Sequence, residues 1–129
     1  MDFTQKILRT AERTWSIEKC QMGDVALALR ELHSSLGPEE KTQFIAAVVS
    51  LLERRDPRVF DELCWLCDML TIEEATPVLM EMLRDKEFAS KHGVEVAVAL
   101  SRQGARQAAA LLMSIVHERL NSPSLRKRR

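Results

Sequence analysis

Two cysteines three residues apart, three scattered histidines, a run of acids and a basic terminus are the side chains of this sequence that could do chemistry. Cys64 and Cys67 form a single C-x-x-C. A structural zinc site needs four ligands, and no second pair stands at ligand spacing, because Cys20, His33, His92 and His117 are scattered along the chain. A redox pair belongs at a helix N-terminus, where thiolate is favoured, whereas these thiols sit in an apolar pattern with Leu63, Trp65 and Leu66. An odd cysteine count without a secretory context also argues for reduced thiols. Buried structural cysteines are expected, with no metal and no cofactor.

Catalysis has little to rest on. There is no G-x-S-x-G, no phosphate-cradling glycine loop, no H-E-x-x-H and no carboxylate pair that stands apart from the other acids. His33 and His92 fall on or beside apolar stripes, the usual place for a hydrogen-bonded structural histidine, and His117 falls outward on the last predicted helix. The expectation is a binder and not an enzyme.

The charges say what kind of binder. Nineteen basic and nineteen acidic residues cancel overall, but unevenly: residues 56–87 carry a net charge of −6, and Arg126-Lys127-Arg128-Arg129 carries +4. From Asp61 to Glu81 there are six acids and no base. At about 100° per residue, Asp61, Trp65 and Asp68 lie opposite the apolar stripe of Val59, Leu63, Leu66, Cys67 and Leu70. Asp61, Glu62, Trp65, Asp68, Glu73, Glu74 and Glu81 are therefore the candidate partner-binding residues, with Trp65 as anchor and the carboxylates steering a basic protein. A competing reading packs Trp65 against the first helix or a neighbouring loop and leaves the acids as solvated surface. The basic tail lacks interleaved aromatics, and nucleic acid is not the expected partner.

The elements that position these groups are all helical. Apolar residues make up 46% of the chain and aromatics 5%, with four Gly and four Pro, which suits helix-on-helix packing. Asp2 with Gln5 reads as a capping box, followed by Phe3, Ile7, Ala11, Trp15 and Met22 on one stripe. This predicts a first helix to about Gln21 with Trp15 in the core. Gly23-Asp24 breaks it; Val25, Leu29, Leu32 and Leu36 mark the second helix, ending at Gly37. Pro38 opens the third, with Phe44, Ile45, Val48, Leu51 and Leu52 inward. Asp56-Pro57 separates it from the fourth. Thr71 and Glu74 read as a capping box for the fifth. The sixth, from Phe88 through Leu100, is apolar nearly all round and is expected to be sandwiched. Ala108, Leu112, Ile115, Val116 and Leu120 define a seventh. Short connections make successive helices antiparallel neighbours.

The chain also matches itself at an offset near thirty. Asp56 and Val59 meet Asp85 and Phe88; Leu66, Leu70, Ala75, Val78 and Met82 meet Val96, Leu100, Ala105, Ala108 and Leu112. A looser copy precedes them. Such spacing marks helix pairs that bury their faces only by stacking. Glu74-Ala75-Thr76-Pro77-Val78-Leu79-Met80-Glu81-Met82-Leu83-Arg84-Asp85 resembles the second helix and following turn of short HEAT-like repeats, with an early proline and a closing Asp. The resemblance implies an all-α fold of about seven antiparallel helices in a compact right-handed solenoid. It would comprise one domain, 1–121, with a capping helix at 1–22, a degenerate repeat at 23–55, repeats at 56–85 and 86–121, and a tail at 122–129. It implies a protein-binding scaffold and no catalytic residues. The family's usual Arg early in the first helix is missing from the last unit, where Ser90 and Lys91 stand.

Glu118-Arg119-Leu120-Asn121-Ser122-Pro123 faintly resembles the close of helical immunity proteins of bacterial polymorphic toxin systems. With the acidic face, this implies an immunity protein masking a basic toxin; a generic adaptor or assembly scaffold is the alternative. No stretch is apolar enough to span a membrane and the N-terminus lacks a signal-peptide core, so a cytoplasmic protein is expected.

Overall fold

Apolar spacing near 3.6 residues becomes helix throughout the computed structural model, which describes residues 2–101 together with Met113 and His117. Six α-helices follow one another, with no strand among the described residues: α1 (Phe3–Trp15), α2 (Asp24–Ser34), α3 (Pro38–Glu53), α4 (Phe60–Leu70), α5 (Thr76–Arg84) and α6 (Lys86–Ser101). Most of the predicted seventh helix and the basic tail lie outside the described residues; Met113 and His117 themselves are helical and exposed.

Local signals place several of these ends. Asp2 caps α1, its Oδ1 accepting the Thr4 N–H at 2.9 Å. Pro38 occupies the first turn of α3, where its missing N–H costs nothing. Asp85 opens α6, its Oδ1 accepting the Phe88 N–H at 3.2 Å. Two boundaries differ from expectation. The first helix stops at Trp15, where the Ser16 hydroxyl donates to the Arg13 carbonyl and Ile17 N–H donates back to Thr14, tightening the chain into a turn. The apolar stripe consequently runs Phe3, Ile7, Ala11, Thr14, and Trp15 is 39% exposed instead of buried. Met22, counted on the same stripe, projects from the connection. The second difference is Thr71, which does not cap α5. It ends α4 in the left-handed region (φ 52°), and a 3-10 turn, Glu73–Ala75, leads into α5.

The helices touch in two series. α1, α3 and α5 contact one another in order, as do α2, α4 and α6; cross-contacts join α1 to α2, α3 to α4 and α5 to α6. The most extensive contact is α4 with α6. Between the helices lies one core of Phe3, Ile7, Leu29, Phe44, Leu51, Leu52, Phe60, Leu63, Leu66, Ile72, Leu79 and Leu100 with smaller residues. The sandwich expected around α6 is not complete, since Val94 and Val98 are exposed. No helix of the described residues is long and apolar enough to cross a membrane.

His33, on α2, packs its ring 5.5 Å from that of Phe44. Desolvation, with a smaller contribution from Lys41, lowers its pKa below the usual 6.5. The unfolded chain therefore binds this proton more tightly than the folded one, so its contribution to stability falls as pH drops below about 6.5. The melting temperature should decline on acidification through that range, and His33→Gln should flatten the decline; an equal slope in the variant would assign it to other groups.

Candidate functional site

The candidate residues occupy α4, the 3-10 turn and α5, and the structure separates them by role. Glu62 is buried. Its Oε1 accepts the Gly23 N–H at 2.8 Å and its Oε2 accepts the Ala26 N–H at 3.3 Å. A carboxylate from α4 thus satisfies the free N–H groups at the start of α2, where the helix dipole favours negative charge. Glu62 is structural and is withdrawn from the partner-facing set. The geometry depends on Gly23, whose φ of +94° lies in the left-handed region that residues with a Cβ rarely adopt.

Trp65 stands one turn further along α4. It is half-buried and packs against the core cluster, and its ring passes 3.7 Å from where a Gly23 Cβ would lie. The alternative of packing against a neighbouring loop describes this contact. Asp61 and Asp68 are half-buried on the same helix, while Glu73, Glu74 and Glu81 are exposed. Glu81 pairs with Arg84 at 3.1 Å, an exposed contact of little energetic weight.

Asp61 is turned to α6. Its Oδ1 lies 3.4 Å from His92 Nδ1. Glu95, one helical turn beyond His92, brings a second carboxylate, and one ligand atom from each of the three lies within 4.8 Å of the others. Sequence reading missed this group because Asp61 and His92 are 31 positions apart. The available signal was His92 and Glu95 at i, i+3 on one face of a helix. The His92 ring forms a three-ring cluster with Phe60 and Phe88, its centroid 5.3 and 4.8 Å from theirs, which are 5.0 Å from each other. Beside it a cleft of about 290 Å³ is lined by Arg55, Pro57, Phe88 and Lys91.

Cys64 and Cys67 are buried. Burial pushes the Cys67 thiol up to about 12 and raises that of Cys64 further, with Cys67, Asp61 and Glu95 adding to the latter. These are protonated thiols with no nucleophilic character at neutral pH. Cys20 is partly exposed in the α1–α2 connection.

The same connection carries side chains that composition could not flag. Ile17 is 63% and Met22 80% exposed, and Trp15 and Leu27 on the flanking helices are also exposed. Gly23 seats this segment beside Trp65. The described residues are thus all-helical, with exposed acids on α5 and the turn before it and exposed Ile17 and Met22 in the α1–α2 connection. No known protein family, characterised protein or solved structure matches the chain.

Glu62→Ala should cost about 2–3 kcal/mol in chemical denaturation, because two N–H groups lose a charged acceptor, one of them buried. A cost below about 0.5 kcal/mol would mean water replaces the carboxylate freely. With an aromatic disulfide reagent at pH about 8, the native chain should titrate Cys20 alone, and denaturant should expose all three thiols. Fast labelling of Cys64 or Cys67 in the native state would contradict their burial.

Proposed function

We propose that this chain is a protein-binding module of stacked, HEAT-like helix pairs, and that it serves as an immunity protein covering the basic active-site cleft of a toxin. The two series of contacts, α1–α3–α5 and α2–α4–α6, are what stacked pairs would produce, and they support the solenoid reading. The observation that carries the binding reading is that exposed Trp15, Ile17, Met22 and Leu27 all fall within residues 15–27, whose Gly23 lies against Trp65. Exposed apolar side chains concentrated in this way mark protein contact surfaces. Asp68, Glu73 and Glu74 belong to the segment of net charge −6 and would accelerate encounter with a basic partner.

Trp65 has a changed part in this reading. It is half-buried, packed against the core and near Gly23, so the more exposed Ile17 and Met22 are the anchors. A second reading, an adaptor that joins two proteins, draws on the separate exposed pair Val94 and Val98, which follow one another on the α6 surface.

Co-purification of the tagged chain from its native cells should yield one basic protein at equimolar ratio. Joint replacement Ile17→Glu and Met22→Glu should weaken that complex by at least about thirtyfold, the loss of one interface hot spot, while leaving the helical circular dichroism unchanged. Glu73→Lys with Glu74→Lys should mainly slow association and reduce its salt dependence. Wild-type affinity in the loop variant would move the interface elsewhere. Several weakly held partners would favour the adaptor.

A further inference from the structure

We propose that Asp61, His92 and Glu95 form a binding site for one divalent transition-metal ion, best suited to zinc, which joins α4 to α6. The donors are one imidazole and two carboxylates, a set that zinc accepts and that the oxygen-preferring magnesium and calcium ions do not favour. His92 and Glu95 rise from one face of α6 at i, i+3, and Asp61 meets them from α4. All three are half-buried, so their side chains are confined and still reachable by an ion from solvent.

The distances point the same way. With zinc–ligand bonds near 2.1 Å, tetrahedral geometry holds neighbouring donor atoms about 3.4 Å apart. Asp61 Oδ1 and His92 Nδ1 already stand at 3.4 Å. The remaining donor pairs lie within 4.8 Å, and closing them needs side-chain movements of about 1 Å. Phe60 and Phe88 both pack against the imidazole ring, which restricts its rotation before any ion arrives.

Three protein donors leave one zinc position open to water or an incoming donor group. Cys64 and Cys67 are not among its donors. The site also does not rest on the binding surface proposed above, since Ile17 and Met22 take no part in it.

Calorimetric titration of the full chain, stripped with chelator and desalted, with zinc chloride tests the proposal. One zinc should bind per chain, and saturating zinc should raise the melting temperature by on the order of 5 °C, because only the folded chain brings the three donors together. Asp61→Asn and Glu95→Gln keep the shape of each side chain, and each should weaken zinc binding by at least about tenfold while the apo-protein melts within a few degrees of wild type. Should one variant misfold, the other still decides. Cobalt substituted for zinc should show ligand-field bands and no sulfur-to-cobalt charge-transfer band. The proposal fails if the wild-type chain binds no zinc at high micromolar concentration, or if both variants bind it as tightly as the wild type. A thiolate band with cobalt overturns it too, because the ion would then sit on cysteine.

Discussion

A buried carboxylate holding the start of another helix organises much of this molecule. The first N–H groups of any helix have no partner within it, and α2 begins at a glycine with no side chain to cap it. Glu62 supplies the missing acceptors from α4, with contacts to Gly23 and Ala26. The arrangement satisfies both partners: the helix gains charge-assisted caps, and a carboxylate on the inward side of α4 is hydrogen-bonded where it would otherwise be costly. The same Gly23 lies against Trp65, one turn beyond Glu62 on α4.

α4 is the helix through which the rest communicates. It contacts α2, α3 and α6, and its buried face of Phe60, Leu63, Cys64, Leu66 and Cys67 has no charge except Glu62. The aromatic contact of Phe60 with Phe88 and His92 extends this core to α6. At the same end, Arg55, itself in the left-handed region at φ 53°, pairs with Asp85 and lies over the Phe88 ring at 4.5 Å. The pair is more than a third exposed and contributes little energy, but it orients the chain entering α4 relative to the first turn of α6.

The acidic segment is consequently not one uniform surface. Glu62 is spent on the fold, Asp61 faces His92, Glu81 has Arg84, and Glu73 and Glu74 remain exposed in the turn between α4 and α5. Charge counted along the sequence measures the field the segment projects, and that field survives any of these local engagements over a Debye length. It does not say which side chains an incoming protein would touch. The exposed apolar residues of the α1–α2 connection are better candidates for that contact, because shedding water from them favours association without a desolvation cost.

Helix content and most of the core were legible in the sequence, because burial of one face imposes its period on the side chains: Ile7, Leu29, Phe44, Leu52, Leu63 and Leu79 lie inside where the spacing put them. The burial of Cys64 and Cys67 followed from the apolar residues around them. Trp15 was not legible, since α1 ends at that residue and a stripe extended past a helix end has no meaning. Thr71 misled because a Thr–Glu spacing fits a cap, whereas the backbone there is left-handed and closes the preceding helix. Tertiary structure alone decided that Glu62 would turn inward, that Trp65 would rest on Gly23, and that Asp61 would meet His92 and Glu95. Each joins residues more than thirty positions apart, and periodicity carries information only about neighbours on the same helix.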